Sequence, residues 1–216
     1  LPLLIHRLVF SEVVLEQPRL SLKRDREGVL NIADLLTQGE TKTSPGFREI
    51  TIEKGTVVFL DRAARDEGLV TSLNDLSCAI DSSFWNNEFR FRLATAVTEG
   101  GTTAELALEG TIRPARNPME STVEASIHVR GTDMHHYHPY LEKIAPVEQL
   151  AGTLDAEATW SGTLSRFTSK GTVTAHDALL AYPEVFRDIL TPRLVHVDWA
   201  LTREAGRLTL DIGRLA

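Results

Sequence analysis

The feature that most constrains this chain is the alternation of apolar and polar residues along most of its length. It is clearest over residues 153–160, from Leu154 to Trp160, and it recurs over residues 122–130 and 195–202. A period of two places successive side chains on opposite faces of a β-strand, so each run predicts an antiparallel strand with one apolar face. About eleven or twelve segments fit this template.

Turn signals separate these segments at the spacing that a meander requires. Lys54-Gly55, Glu99-Gly100-Gly101 and Glu204-Ala205-Gly206 each stand between two alternating runs. Short connections with glycine favour hairpins between sequential strands. We therefore expect an all-β protein, a long twisted antiparallel meander whose apolar faces meet in a sandwich, a closed barrel or an open groove.

Helical periodicity is scarce and predicts two or three short helices. The best candidate covers residues 133–144, with Asp133 as N-cap and with Pro139 either starting or kinking the helix. Residues 33–38 and 183–190 are the other candidates.

The same patterns divide the chain into three parts. Residues 1–37 carry an N-terminal β-hairpin followed by a short helix, and residues 38–46 form a polar, breaker-rich linker or loop. Residues 47–216 form the main antiparallel β domain.

Composition excludes several classes of function. The net charge is −7 and no basic stripe is present, which argues against nucleic acid as a partner. No apolar run approaches the ~18 residues of a membrane span, and the single cysteine, Cys78, excludes an internal disulfide. Because the chain opens with Leu1 and has neither an initiator methionine nor a signal-like segment, we expect a piece of a longer protein whose membrane anchor lies upstream.

The side chains that carry chemistry form no recognisable catalytic or cofactor motif. No G-x-S-x-G is present, and Cys78 lies among apolar alternates, where a thiol behaves as a small hydrophobe. His135 and His138 have a spacing at which two imidazoles can share a helix face, but Pro139 disturbs that geometry. We therefore predict no catalytic residues, no cofactor and no metal, with His135 and His138 as weak metal candidates only.

Several short motifs in a fixed order resemble those of AsmA-like proteins. Residues 18–20 and 28–32 (Gly-Val-Leu-Asn-Ile) resemble a hairpin of that family, and residues 50–61 resemble the hairpin that follows it. Residues 152–156 (Gly-Thr-Leu-Asp-Ala) are similar to its repeated strand pairs, and residues 133–141 to the short helical crossover before such a pair.

The resemblance implies a setting and a role. AsmA-like proteins, and the related TamB-like bridges, are envelope proteins of Gram-negative bacteria, anchored in the inner membrane, with large periplasmic β domains. The family implies a part in outer-membrane biogenesis, with phospholipid carried along an apolar β groove. On this basis we expect a non-enzymatic periplasmic segment whose partners are phospholipid or another acyl-chain ligand, with other envelope proteins as further candidate partners.

The candidate groove residues are apolar members of the alternating segments. They are Leu106, Leu108, Val123, Ile127, Leu154, Trp160, Val197 and Trp199. The alternative hypothesis is a closed β-sandwich that serves as a scaffold for protein–protein interaction in the cell envelope. An open apolar concavity favours the first hypothesis, and a dry closed core favours the second.

Overall fold

The structure, a computed structural model, describes residues 9–32, 46–83, 87–143, 145–204 and 206–215. These residues form eleven strands, one α-helix and a 3₁₀ turn at Pro118–Glu120. The strands are β1 (Val9–Glu16), β2 (Arg19–Arg24), β3 (Gly46–Asp61), β4 (Leu69–Ser83), β5 (Glu88–Glu99), β6 (Thr102–Arg113), β7 (Thr122–Asp133), β8 (Gln149–Gly162), β9 (Phe167–Ala181), β10 (Leu194–Glu204) and β11 (Arg207–Leu215). The helix α1 (Met134–Leu141) lies between β7 and β8.

All eleven strands belong to one sheet. From β3 to β11 each strand pairs antiparallel with the next strand in sequence, which confirms the predicted all-β meander. In the described part of the chain the sheet is not closed into a barrel, and no second sheet covers it. Of the architectures open at the sequence level, the structure therefore has a single open sheet.

The N-terminal strands join the same sheet. Both β1 and β2 pair parallel with β3, and both keep one register offset, with Val9 opposite Gly46 and Arg19 opposite Thr56. They therefore act as one edge strand that is interrupted at Gln17, which has a φ of 48°.

The prediction of a turn at Lys54-Gly55 is wrong. β3 continues through these residues as a single strand of 16 residues, because Lys54 takes a φ of 52° and the register with β4 shifts on either side of Gly55. The signal is thus a β-bulge within a long strand, and such bulges bend a sheet and increase its twist. Gln17 in the edge strand and Asp75 in β4 have similar positive φ values. Three neighbouring strands therefore depart from the regular extended backbone conformation near the same place.

Of the two helix predictions that fall on described residues, one coincides with an observed helix. Asp133 caps α1 by accepting a hydrogen bond from the backbone N–H of His135, and Pro139 lies inside the helix without ending it. Residues 183–190 do not form a helix; the carbonyl of Tyr182 closes one turn, and Leu190 then pairs with Leu180 in an isolated bridge. Residues 33–38, and all but the last residue of the predicted 38–46 linker, lie outside the described residues.

The buried apolar residues lie mostly near α1. They include Ala64, Val97, Ala104, Val147, Leu150, Ala178 and Ala181. These positions belong to, or flank, the strand ends beside the helix, whereas most apolar side chains elsewhere on the sheet remain partly exposed. The sheet therefore has a compact core at one end and little cover over the rest of its apolar side.

No helix within the described ranges is long and apolar enough to cross a membrane.

Candidate functional site

The strand register gathers the apolar alternates of the sheet onto one side, which we call the apolar face. Residues that are register partners in neighbouring strands project to the same face. One row of partners crosses ten strands through Leu15, Ile52, Cys78, Leu93, Leu108, Ile127, Ala158, Gly171, Trp199 and Ile212. The row holds no charged residue, so the apolar face is continuous across the sheet.

All eight candidate groove residues lie on the apolar face. They are Leu106, Leu108, Val123, Ile127, Leu154, Trp160, Val197 and Trp199, and their registers link them through β6, β7, β8, β9 and β10. Every one of them is partly exposed rather than buried. The structure thus brings the predicted set together on an accessible surface.

Aromatic rings lie over glycines on this face. A Cβ atom on Gly171 would approach the Cζ2 atom of Trp199 to 2.8 Å, and one on Gly110 would approach the Cζ atom of Phe91 to 2.9 Å. Each glycine leaves room for the ring of its cross-strand partner to lie along the sheet instead of standing up from it.

A second aromatic feature marks the end of the apolar face opposite α1. The rings of Trp160 and Phe167 stack with centroids 3.7 Å apart and an interplanar angle of 24°. Within the described residues the buried Nε1 of Trp160 has no hydrogen-bond partner. The two stacked rings therefore cover each other at this end of the apolar face.

Helix α1 covers the other end of the apolar face and reaches across three strands. Tyr140 donates a hydrogen bond to Asp61 at the end of β3, and Tyr137 donates one to Glu99 at the end of β5. The Nε2 atom of His136 lies 3.0 Å from the hydroxyl of Thr71 in β4. The helix is thus attached to the β3–β5 side by polar side-chain contacts.

Asp61 is almost fully buried beneath the helix, with 1% of its surface exposed. Its carboxylate forms a salt bridge of 2.7 Å with Arg24 and accepts hydrogen bonds from Tyr140 and from the backbone N–H groups of Ala63 and Ala64. Burial by itself raises the pKa of Asp61, but the hydrogen bonds from Tyr140, Arg24 and Ala63 and the charge of Arg24 outweigh it and lower the pKa.

Glu99 is buried to the same extent, with 1% of its surface exposed. It accepts hydrogen bonds from Tyr137 and from the backbone N–H of Asp133, the N-cap of the helix. Burial and the contact with Glu99 raise the pKa of Tyr137, while burial and the contact with Asp61 raise that of Tyr140 to about 12. Both tyrosines are neutral donors at physiological pH.

The sequence interpretation did not single out these two carboxylates as site residues. The sequence does contain a signal for them. Asp61 continues the alternation of Val57 and Phe59, which places it on the apolar face of β3, and Glu99 follows Val97 in the same way in β5. A carboxylate at an apolar-face position must either reach water or find partners. Here it finds partners on α1.

The histidines of α1 are engaged in protein contacts. The Nε2 atom of His138 lies 2.8 Å from the carbonyl oxygen of Val147, and its Nδ1 atom lies 3.0 Å from the carboxylate of Glu142. The ring of His135 stacks at 6.4 Å from that of His138. Within the described residues, no group of three or more His, Cys, Asp or Glu side chains could hold a metal ion.

The opposite side of the sheet, which we call the polar face, carries pairs of a histidine and a carboxylate. Three histidines there each lie near a carboxylate, at 3.5 Å for His128 and Glu157, 3.2 Å for His176 and Asp155, and 3.2 Å for His196 and Asp198. All six side chains are more than a third exposed. Pairs exposed to this degree usually contribute little to stability.

Comparison of the chain with protein-family models, curated proteins and solved structures finds no match in any of the three. The geometry of the chain itself therefore carries the functional inference. That geometry is a wide apolar face, accessible over most of its area and closed by a polar network at one end.

Proposed function

We propose that this chain is a non-enzymatic segment that shields or conveys the acyl chains of phospholipids along its apolar face. The observation that carries the proposal is the continuous apolar row across ten strands, whose members include partly exposed leucine, isoleucine and tryptophan side chains. A monomeric protein rarely leaves so extended an apolar surface uncovered without a ligand or partner.

The dimensions of the sheet suit this role. The nine strands from β3 to β11, at a spacing of about 4.8 Å, span roughly 38 Å. The acyl chains of one leaflet occupy about 15 Å, half of the ~30 Å hydrocarbon core of a bilayer. Burial of each methylene stabilises a bound chain by ~0.8 kcal/mol, so ten methylenes contribute roughly 8 kcal/mol before the entropic cost of association.

The cellular setting is the second part of the proposal. The motifs that resemble AsmA-like proteins support a periplasmic location in a Gram-negative envelope, with the full-length protein tethered to the inner membrane and acting in outer-membrane biogenesis. The arrangement of α1 between β7 and β8 agrees with the helical crossover that the resemblance implies.

Two tryptophans on the apolar face provide a direct test. The chain has three tryptophans, so a Trp85→Phe background leaves fluorescence from Trp160 and Trp199 alone. Phospholipid vesicles with brominated acyl chains should quench this fluorescence, and vesicles of the same lipid without bromine should not. Quenching requires that the acyl chains contact the indole rings.

Matched variants on one strand separate binding to the apolar face from adsorption to the vesicle surface. Leu154→Asp places a carboxylate on the apolar face of β8, whereas Thr159→Asp places one on the polar face of the same strand, opposite Lys170. We expect Leu154→Asp to lose most of the quenching and Thr159→Asp to keep it. Absence of quenching in the background protein, or equal loss in both variants, would contradict the proposal.

The alternative of a closed sandwich scaffold is less well supported. A sandwich needs two stacked sheets, and the described strands form one. If the open face binds another protein instead of lipid, the same experiment should show a folded protein whose tryptophan fluorescence is not quenched by brominated lipid.

A further inference from the structure

Charge is distributed unequally between the two ends of the strands. From β5 to β11, the strand ends and connections opposite α1 comprise residues 88–90, 113–121, 163–166 and 203–207, which we call the arginine rim. The rim has three glutamates and six arginines, namely Arg90, Arg113, Arg116, Arg166, Arg203 and Arg207. At the α1 end, residues 99–102, 133–148 and 177–193 have seven carboxylates against three lysines and arginines. The apolar face therefore lies between a cationic end and an anionic end.

Hydrogen bonds join neighbouring parts of the arginine rim. The backbone N–H of Ser165 donates to the carbonyl oxygen of Met119 at 3.3 Å, and its hydroxyl donates to the carboxylate of Glu120 at 3.0 Å. The guanidinium of Arg203 donates to the carbonyl oxygen of Leu164 at 3.2 Å. The β6–β7 connection, the β8–β9 connection and the end of β10 therefore form one surface.

Arg203 lies at the border between the arginine rim and the apolar face. It is the register partner of Phe167 and therefore projects to the apolar face, where it is the only lysine or arginine of strands β5 to β10. The residue is half-buried. Within the described residues, Arg203, Arg166 and Arg116 form no salt bridge. A guanidinium without a carboxylate partner is suited to an anion, and its planar fork matches the oxygens of a phosphate.

The apolar face has room for an acyl chain between the arginine rim and α1. Along β10, the apolar alternates run from Leu201 back to Val195, which is eight residues from Arg203. Eight residues at 3.4 Å each span about 27 Å. The acyl chains of one leaflet occupy about 15 Å, half of the ~30 Å hydrocarbon core, so a chain whose head group lies at the rim ends before α1.

We propose that the arginine rim binds the phosphate of a phospholipid whose acyl chains lie along the strands, with their methyl ends towards α1. The inference rests on the proposed function and gives the bound lipid a defined orientation. Arg166 precedes Phe167, the register partner of Arg203, so the two arginines come from neighbouring parts of the sheet. The reverse orientation would place the phosphate beside the excess of carboxylates at the α1 end, where like charges repel.

Tryptophan quenching by monomeric lipids tests the role of the phosphate. In the Trp85→Phe background, lysophosphatidic acid and monoacylglycerol with the same brominated chain are titrated below their critical micelle concentrations, so that no bilayer surface is present. We expect lysophosphatidic acid to bind more tightly than monoacylglycerol. Arg166→Gln combined with Arg203→Gln should raise the Kd of lysophosphatidic acid roughly tenfold and leave that of monoacylglycerol unchanged.

The matched control is Arg187→Gln combined with Arg193→Gln, which removes the same charge from the β9–β10 connection at the α1 end. It should leave both dissociation constants unchanged, and circular dichroism reports whether each variant is folded. Equal changes for both lipids, no change for either, or an effect confined to vesicles of phosphatidic acid would overturn the phosphate site and leave the proposed function standing. Absence of quenching by the monomeric lipids and by brominated vesicles would overturn the proposed function as well.

The position of the bromine atoms along the chain tests the orientation. Trp160 lies in the row of Leu201, two residues from Arg203, and Trp199 lies four residues from it. These separations are about 7 Å and about 14 Å along the strand direction. Trp199→Phe or Trp160→Phe in the Trp85→Phe background leaves one of the two rings.

Saturating lysophosphatidic acid brominated near the carboxyl end of its chain is compared with the same lipid brominated near the methyl end. The first should quench Trp160 more strongly than the second does, and the second should quench Trp199 more strongly than the first does. Equal quenching by the two lipids, or the reverse preference, would overturn the orientation.

Discussion

Replacement of Arg24 by methionine should be among the most damaging changes to the polar network beneath α1. The substitution keeps much of the side-chain volume but removes the cation that pairs with Asp61, whose exposure is 1%. Removal of one partner from a buried ion pair costs about 3–5 kcal/mol, because a buried charge is left uncompensated. Asp61 keeps three other donors, and Arg24 is 34% exposed, so we expect the lower end, about 3 kcal/mol.

Urea unfolding followed by far-ultraviolet circular dichroism at pH 7 measures this loss of stability. The matched control is Arg26→Met, since Arg26 pairs with Asp66 at 3.1 Å but the two side chains are 66% and 83% exposed. Pairs this exposed contribute little. The double variant of Arg24→Met with Asp61→Asn buries no charge and should be more stable than Arg24→Met alone.

The same interaction has a defined dependence on pH. The folded-state pKa of Asp61 lies below its ordinary value of 3.8. The contribution of Asp61 to the free energy of unfolding is therefore present above pH 3.8, and it is lost as the pH falls through the lowered folded-state pKa. A neutral carboxyl needs no cation, so the difference between wild type and Arg24→Met should shrink below about pH 4. The reasoning is refuted if Arg24→Met costs no more than Arg26→Met, or if the double variant is less stable than Arg24→Met.

Three further outcomes follow from contacts near the apolar face and α1. Gly171→Ala should lower the free energy of unfolding by about 2 kcal/mol, because the new Cβ would lie 2.3 Å from the carbonyl oxygen of Glu157 and 2.8 Å from the ring of Trp199; chemical denaturation measures this. The pKa of Tyr140 is raised to about 12, so its contribution to the stability of the fold is present below pH 10 and is lost as the pH rises towards 12. The melting temperature should therefore fall over that interval, and it should fall less steeply in Tyr140→Phe. Added zinc or chelator should leave the wild-type melting temperature unchanged, since a metal that binds only the native state must raise it.

Much of the fold could be predicted because strand periodicity is a local property. The register that brings Leu154, Trp160 and Trp199 to one face follows from period-two alternation once the strands are sequential neighbours. The turn at Gly100-Gly101 was also predictable, since both glycines take positive φ in a two-residue hairpin between β5 and β6.

The errors arose where local signals have more than one structural outcome. A positive-φ residue followed by glycine is compatible with a hairpin turn or with a bulge, and only the pairing of β3 with two further strands decides for the bulge at Lys54. The apolar run Val185-Phe186 fits one turn of helix, but the bridge between Leu180 and Leu190 draws the backbone back to the sheet. Both outcomes depend on residues distant in sequence.

The polar network at α1 could not be predicted because it joins residues that are 38 and 79 positions apart. Its place in the fold gives it a distinct mechanical role. The main packing contacts between described strands are all between sheet neighbours, and structures with nearest-neighbour contacts alone can open locally and bend. Through Asp61 and Glu99, α1 ties β3 and β5 to the β7–β8 connection, so the curvature of the sheet is fixed at that end. The strands β10 and β11 lie beyond this tie, and their main contacts with other described strands are with their sheet neighbours.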